Sequence, residues 1–377
     1  MLRFINSRGE IDMAYNEKYF ELAYNLAEKG RGKTSPNPFV GAVIVKDDKI
    51  VGKGFTQSWG KDHAEIQAIK EAGDNCNNAE MYVTLEPCSH FGKTPPCSDQ
   101  IIKAGISKVY AGMKDPNPLV NGKGFKKLKD ANIEIVSGIW NDKIKKQLEY
   151  YLSYIKKERP FVVMKNAVSL DGKIATESGF SKWITGIEAR KEVHLLRNEM
   201  DVIVTGIGTI LNDNPLLNVR LENKSNHPVR VILDDNLRTP IDTKIVQTAN
   251  DIQTFICKSE HYINQEKEIE LKKWNVNVMS LPKSKNGLDL KALLNELYKK
   301  NYYSVMIEAG DKLSSSFLRE KLVDKIYYYI APKIIGGDFG IFKNISIKDM
   351  NNVVNIEVEK LDKIEKDFRL IGYLKYN

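Results

Sequence analysis

The 377 residues include only four cysteines, Cys76, Cys88, Cys97 and Cys257. No signal-peptide-like apolar segment occupies residues 1–12, and no apolar run reaches the ~18–20 residues that span a bilayer. These absences make the cytoplasm the expected compartment. There, closely spaced cysteines point to metal or catalysis rather than to disulfides. A long basic block is also missing. The net charge of +8 is spread along the chain, as on a solvated, lysine-rich surface, although it would also suit a phosphorylated small molecule. The second half has no Gly-x-Gly-x-x-Gly after its first strand, so the Rossmann fingerprint is absent. No internal repeat or low-complexity segment appears.

With 42% hydrophobic and 28% charged residues the composition is that of a globular protein. At roughly 100–200 residues per domain, this length suggests two domains. In both halves, apolar runs of strand length alternate with stretches of helical period. Val40–Val45, Ile50–Phe55, Met81–Leu85 and Lys108–Met113 read as strands, and the segments at 16–29 and 63–72 read as helices. The second half restarts with Phe161–Val168 and continues through helix Ile187–Glu199 and strand Val229–Leu233. Such alternation indicates α/β sheets covered by helices. Asp142–Lys157 reads as a polar helical connector, and Arg159-Pro160 breaks it, because the residue before proline is pushed out of helix. The expected organisation is an extension at 1–12, one domain over 13–157 and a second over 158–377.

The densest chemistry lies in His63-Ala64-Glu65, followed by Pro87-Cys88 and Cys97. One imidazole and two thiolates leave a fourth tetrahedral position on zinc for water. Zinc lowers the pKa of that water toward neutrality. A neighbouring glutamate that is not a ligand can carry protons to a leaving amine. His-x-Glu followed by Pro-Cys and a further Cys is the signature of zinc nucleobase deaminases. Residues two apart on a helix do not face one way, so His63 and Glu65 are expected at a helix start. Cys97 precedes a helix, where dipole and metal both favour thiolate. The alternatives are a Cys88–Cys97 disulfide or two core thiols, with His90 as a candidate fourth ligand. Cys76, in a polar stretch, reads as an exposed loop thiol, and Cys257 as a core strand residue.

The short deaminase motif places two residues between its cysteines, whereas this chain places eight. The segment Thr84-Leu85-Glu86-Pro87-Cys88-Ser89-His90-Phe91-Gly92-Lys93-Thr94-Pro95-Pro96-Cys97 resembles the deaminase domain of the bifunctional deaminase–reductases of riboflavin biosynthesis. Pro36-Asn37-Pro38 with Val40-Gly41, and Asp115-Pro116-Asn117-Pro118, share the resemblance. It implies His63, Cys88 and Cys97 as zinc ligands and Glu65 as proton shuttle. It also implies that Asn37, Lys93, Thr94, Asp115 and Asn117 hold a pyrimidine and its ribose phosphate. Thr56 stands where relatives often carry histidine.

Lys165-Asn166-Ala167-Val168-Ser169-Leu170-Asp171-Gly172-Lys173 resembles the opening strand of the reductase domain of the same family, which is similar in fold to dihydrofolate reductase. Ser181-Lys182-Trp183-Ile184-Thr185, Thr205-Gly206-Ile207-Gly208-Thr209, Asp213-Asn214-Pro215-Leu216-Leu217, Glu308-Ala309-Gly310 and Ala331-Pro332-Lys333 continue the likeness. The resemblance thus implies an N-terminal cytidine-deaminase-like α/β/α sandwich and a C-terminal dihydrofolate-reductase-like α/β domain. NADPH is then expected on Ala167, Trp183, Thr185, Thr209, Asp213, Gly310, Asp311, Lys312, Leu313, Ser314, Ser315 and Ser316. The reductase substrate is expected on Lys165, Ser181, Arg197, Leu217, Arg220 and Glu308. Residues Leu313–Ser316 open a helix whose free N–H groups can receive a phosphate, with Asp311 as its cap. Arg197 and Arg220 read as phosphate clamps, and Lys165 and Glu308 as candidate general acids.

The expected activity is deamination of a diaminopyrimidine ribosylamino phosphate, followed by NADPH-dependent reduction of its ribosyl group to ribityl. The expected partner is that small phosphorylated pyrimidine, without nucleic acid or membrane, and the chain is expected to form a homo-oligomer. A nucleic-acid base deaminase would instead show a basic strip interleaved with exposed aromatics. The tyrosines at 327–329 are consecutive and strand-like, with one face expected in a core. A domain serving only assembly would not need an intact Glu65.

Overall fold

Valines, isoleucines and methionines buried on both faces build a five-stranded sheet in the first half of the chain. The computed structural model describes residues 15–222, 226–342 and 344–376, so the expected extension at 1–12 lies outside the described residues. The chain divides between Lys157 and Glu158 into two compact units.

The first unit contains β1 (Gly41–Lys46), β2 (Lys49–Phe55), β3 (Glu80–Leu85), β4 (Lys108–Met113) and β5 (Glu134–Ser137), in the order β2-β1-β3-β4-β5. β1 pairs antiparallel with β2 and β3, while β3, β4 and β5 run parallel. Helices α1 (Glu17–Glu28), α2 (Ala64–Ala72), α3 (Cys97–Lys103), α4 (Lys123–Asp130), α5 (Asn141–Gln147) and α6 (Glu149–Lys157) complete it. Asn16 caps α1 by accepting from the Lys18 amide, and Phe20, Ala23 and Ala27 bury one face of that helix. α2 lies directly on β2. A Cβ on Gly54 would come within 2.1 Å of the Ala64 carbonyl oxygen, and one on Gly52 within 2.2 Å of that of Ala68. Glycine at these strand positions therefore sets the depth at which the start of α2 sits.

Two expectations are corrected in this unit. The polar connector over 142–157 is a pair of helices that bury Ile144, Tyr150, Tyr151, Leu152 and Tyr154. Tyrosine presents an apolar body as well as a polar tip, and a polarity count hides the first. Cys76 is buried, ending a 3₁₀ turn (Gly73–Cys76), and its thiol donates to the Ile69 carbonyl at 3.7 Å. The turn folds back beneath α2, which the polarity of its neighbours does not reveal.

Among its described residues the second unit has eleven strands: β6 (Phe161–Ser169), β7 (Val202–Gly206), β8 (Val229–Leu233), β9 (Thr254–Ser259), β10 (Asn277–Leu281), β11 (Lys283–Ser284), β12 (Gly287–Leu288), β13 (Ser304–Ile307), β14 (Lys325–Ala331), β15 (Asn355–Ile364) and β16 (Asp367–Lys375). Its helices are α7 (Ile187–Glu199), α8 (Ile207–Asp213), α9 (Lys244–Gln247), α10 (Gln265–Lys273), α11 (Leu290–Lys299) and α12 (Asp311–Arg319). Nine strands form one sheet, ordered β10-β9-β8-β7-β13-β6-β14-β16-β15, and β11 with β12 makes a small hairpin. From β10 to β14 the sheet is parallel, and β16 and β15 close it antiparallel. Parallel strands buried on both faces read as continuous apolar runs, as Val202–Val204 and Val305–Ile307 do. α11 covers one face with Leu290, Leu293, Leu294 and Leu297, at helical spacing, and Asp289 caps it through the amides of Lys291 and Ala292. Cys257 is a core residue of β9, and Tyr329 buries while Tyr327 and Tyr328 are half-buried.

Candidate active sites

His63 occupies the N-cap of α2 in extended conformation and Glu65 lies in its first turn. Both side chains therefore escape the divergence imposed by a continuous helix. Cys97 is the first residue of α3. The His63 Nδ1 atom lies 3.3 Å from Cys97 Sγ and 3.7 Å from Cys88 Sγ, and the Cys97 amide donates to Cys88 Sγ at 3.3 Å. The three donor atoms all fall within 4.8 Å of one another. Two soft sulfurs and one imidazole nitrogen match zinc, with three protein ligands and one open position. His90 stands outside this cluster. A hydrogen bond from Cys97 and the imidazole of His63 hold the Cys88 thiol well below its usual range. Cys97, beside that sulfur and buried, is pushed up.

Glu65 is buried beside the cluster, and burial pushes its carboxyl up to about 7. The Asn37 side-chain amide lies 3.4 Å from His63 Nε2. The facing atom is Asn37 Nδ2, so which group donates depends on the imidazole tautomer. Asp115 is also buried; it accepts from the Tyr151 hydroxyl at 2.8 Å and from the Asn117 amide at 2.9 Å. Burial raises its carboxyl to about 6. The Asn117 side chain accepts from the Leu119 amide at 3.0 Å. Lys93 is exposed with its ammonium 3.3 Å from the ring centre of Trp59, and Thr94 beside it is half-buried. Thr56 is buried, and its hydroxyl accepts from the Val40 amide at 3.0 Å.

Glu86 was not among the expected site residues. It accepts from the amides of Asp115, Gly122 and Phe125 at 3.2, 2.9 and 3.2 Å, tying the segment before Cys88 to the loop that carries Asp115 and Asn117. A carboxylate immediately before Pro87-Cys88 was the available signal.

In the second unit a cavity of about 980 Å³ opens where β6, β7, β8 and β13 end, the edge of a parallel sheet at which ligands bind. Of the expected NADPH contacts, Ala167, Trp183, Thr185, Thr209, Asp213, Gly310, Asp311, Lys312, Leu313 and Ser316 line it. The side chains of Ser314 and Ser315 are instead buried in α12. Lys165, Ser181, Arg197, Arg220 and Glu308 also line the cavity, whereas Leu217 is buried behind it. Asp311 does not cap α12. Gly310 is the N-cap, and Asp311 accepts from the Asn344 amide at 2.6 Å. Helical backbone at Asp311 turns its carboxylate away from the free N–H groups.

Arg197 is not a free phosphate clamp. Its guanidinium donates to Glu308 at 2.9 and 2.7 Å and to the Asn218 carbonyl at 3.0 Å. Lys165 adds a third contact to Glu308 at 3.3 Å. Burial pushes the Glu308 carboxyl up, but Arg197 and Lys165 outweigh it and hold the group well below the usual range. The two cations thus favour the ionised carboxylate at Glu308 in this arrangement. Arg220 is exposed, and its guanidinium donates to Asn218 Oδ1 at 2.8 Å. Arg190 also lines the cavity and was not among the expected contacts, and Lys333 braces the Trp183 segment from outside the lining. Arg190 lies 4.4 Å from the Trp183 ring centre and donates to the Thr185 carbonyl, and Lys333 donates to the carbonyls of Trp183 and Ile184. Among the described residues no helix is long and apolar enough to cross a membrane.

A thiolate–imidazole cluster with a buried glutamate on a five-stranded sheet, joined to a parallel-sheet unit with a large cleft, defines a zinc deaminase fused to a reductase. Residues 13–113 match the family described as the cytidine and deoxycytidylate deaminase zinc-binding region, and residues 160–370 match the RibD C-terminal domain. Over 361 residues the chain is 41% identical to the riboflavin biosynthesis protein RibD of Aquifex aeolicus, covering 96% of this chain and 99% of that one. The Escherichia coli RibD is 39% identical over 337 residues, covering 86% and 89%. A solved Acinetobacter baumannii RibD superposes with a TM-score of 0.87 at 37% identity, over 95% of this chain and 98% of that one. The Thermotoga maritima deaminase/reductase gives 0.84 at 34% identity, with the same two coverages of 95% and 98%. The chain belongs to the RibD family of riboflavin biosynthesis proteins. It is a bifunctional enzyme with a zinc-binding deaminase domain and an NADPH-using reductase domain.

Proposed function

We propose that the first domain hydrolyses an amine from diaminohydroxyphosphoribosylaminopyrimidine and that the second reduces 5-amino-6-(5-phosphoribosylamino)uracil, the substrates in the name of the T. maritima relative. The observation that carries the first step is buried Glu65 beside His63, Cys88 and Cys97. His63, Cys88 and Cys97 would hold a zinc ion, whose chemistry would be to acidify a bound water. Glu65, poised near neutrality, accepts a proton there and delivers it to the departing amine as ammonia. Asn37, Asp115 and Asn117 orient the base, and Lys93 and Thr94 meet the ribose phosphate.

The cavity of the second domain would hold NADPH, which would supply the hydride. The N-terminus of α12, from Gly310 to Ser316, receives a cofactor phosphate, and Ala167, Trp183, Thr185, Thr209 and Asp213 hold the rest of the molecule. Glu308 and Arg197, locked together, orient the sugar hydroxyls. Lys165 donates the proton, and Arg220 meets the substrate phosphate. Free thiols at all four cysteines suit a cytoplasmic enzyme. The exposed apolar side chains Ile356, Val358 and Leu361 on edge strand β15 suit a homo-oligomer.

The test is an assay of purified protein on the diaminopyrimidine substrate, following ammonia and NADPH separately. Ammonia release followed by NADPH oxidation supports both assignments. Ammonia without NADPH oxidation removes the second, and neither signal from folded, zinc-loaded protein removes both.

A further inference from the structure

Arg230 is the second residue of β8 and has no solvent exposure, the largest fully buried side chain among the described residues. All its hydrogen bonds go to neutral acceptors. Nε and Nη2 donate to Thr254 Oγ1 at 2.9 and 2.7 Å, and Nη2 also reaches the carbonyls of Ile245 and Ile252 at 2.8 and 3.2 Å. Nη1 donates to Thr248 Oγ1 at 2.8 Å and to the Leu216 carbonyl at 3.1 Å. Among the described residues no carboxylate hydrogen-bonds this guanidinium, and Asp251 acts on it only at longer range; a cation buried in this way is costly, and an apolar residue of similar size is often the more stable choice. What this cation holds is therefore informative.

Of these acceptors, only the Leu216 carbonyl belongs to the loop that borders the reductase cavity. The next residue, Leu217, has a φ of +48°, a left-handed conformation that a side chain of this size adopts only when its surroundings impose it. One residue further on, the Asn218 carbonyl accepts from Arg197 Nη1 at 3.0 Å. Asn214 Oδ1 fixes the start of the loop by accepting from the Lys244 amide at 2.9 Å. Arg230 does not itself line the cavity.

We propose that Arg230 is a positioning residue for reduction: by gripping the Leu216 carbonyl it holds Leu217 left-handed and aims the Asn218 carbonyl at Arg197. This rests on the assignment of Arg197 and Glu308 to the reductase substrate. Asp213 ends α8 and is held separately by the Ser181 hydroxyl at 3.2 Å, so the cofactor side of the cavity does not depend on the same grip.

The test compares Arg230→Lys with Thr254→Val, which removes the one acceptor, Thr254 Oγ1, shared by Nε and Nη2 and spares the Leu216 contact. Both are assayed well below their unfolding temperatures, with deaminase turnover in the same chain as the internal reference. Arg230→Lys is expected to raise the reductase KM for the phosphorylated uracil at least tenfold, with NADPH affinity changed less than threefold. Thr254→Val is expected to lower the Tm comparably and leave that KM within twofold. A wild-type KM in Arg230→Lys, or KM increases in both variants that track their loss of Tm, overturns the proposal. If Arg230→Lys does not fold, Arg230→Gln, whose shorter side chain cannot reach both Thr254 and the Leu216 carbonyl, is assayed in its place: a reductase KM raised at least tenfold supports the grip, and a wild-type KM rejects it. Arg197→Lys separates the underlying assignment. If its KM stays at the wild-type value, the assignment of Arg197 to substrate fails; if its KM rises while that of Arg230→Lys does not, only the positioning role fails.

Discussion

The Tyr151 hydroxyl donates to Asp115 Oδ1 at 2.8 Å, joining α6 to the loop after β4 inside the deaminase unit. Burial raises the Asp115 carboxyl, and this bond works in the opposite direction, favouring its ionised form. Tyr151→Phe removes the donor and leaves a buried acid short of a partner. The expected cost is about 1–3 kcal/mol in urea unfolding of the deaminase domain, with a higher deaminase KM and unchanged reduction of pre-deaminated substrate. Unchanged unfolding and unchanged KM together would show that the contact does not matter in solution.

Glu65 and the ligand cluster divide the labour of deamination differently, and one substitution separates them. Glu65→Gln keeps the shape and removes the titrating group. Deaminase turnover should fall at least 10³-fold, within the range of general acid–base contributions, while zinc stoichiometry stays at one per chain. Substantial turnover in the zinc-loaded variant would show that another group moves the proton.

Replacing a soft ligand should act on metal retention first. Cys97→Ser puts a harder donor where a sulfur lies 3.3 Å from His63 Nδ1. Zinc should be lost to a chelator that leaves the wild type loaded, and ammonia release should stop with it. Reduction of pre-deaminated substrate should continue at its normal rate. Loss of both activities on chelation would mean that the reductase unit also depends on metal.

His194 gives a pH dependence of known sign. Burial lowers its pKa to about 4, helped by Arg197 and Arg220 and opposed by Glu308. Its Nδ1 accepts from the Arg220 amide at 3.3 Å, which requires the neutral ring. The unfolded chain binds this proton near its ordinary value of about 6.5, so between that pH and about 4 the unfolded state holds more protons. Stability from this group is complete above pH ~6.5 and is lost as pH falls through that window, a contribution on the order of 3 kcal/mol. His194→Gln should flatten the stability–pH curve of the reductase unit there. An unchanged slope would mean that the histidine titrates normally in the folded protein.

Local chemistry is legible in the residues alone. His63, Glu65, Cys88 and Cys97 are specified by residue type and short spacing, because metal affinity and proton transfer need those atoms and few others. Apolar period likewise marks Ile187–Glu199 and Val229–Leu233 to the residue. Other features depend on long-range contacts that no window of sequence contains. Tyr151 meets Asp115 across 36 positions, and Arg197 meets Glu308 across 111. For that reason Arg197 reads as a phosphate clamp in one dimension, while the fold places a carboxylate in its fork. Cys76 reads as exposed because its neighbours are polar, and it is buried because the turn carrying it folds under α2. The order of residues establishes which atoms can ligate, titrate and bind anions. Which of those atoms face one another is a tertiary outcome, because burial and the pairing of charges depend on which strands and helices come together.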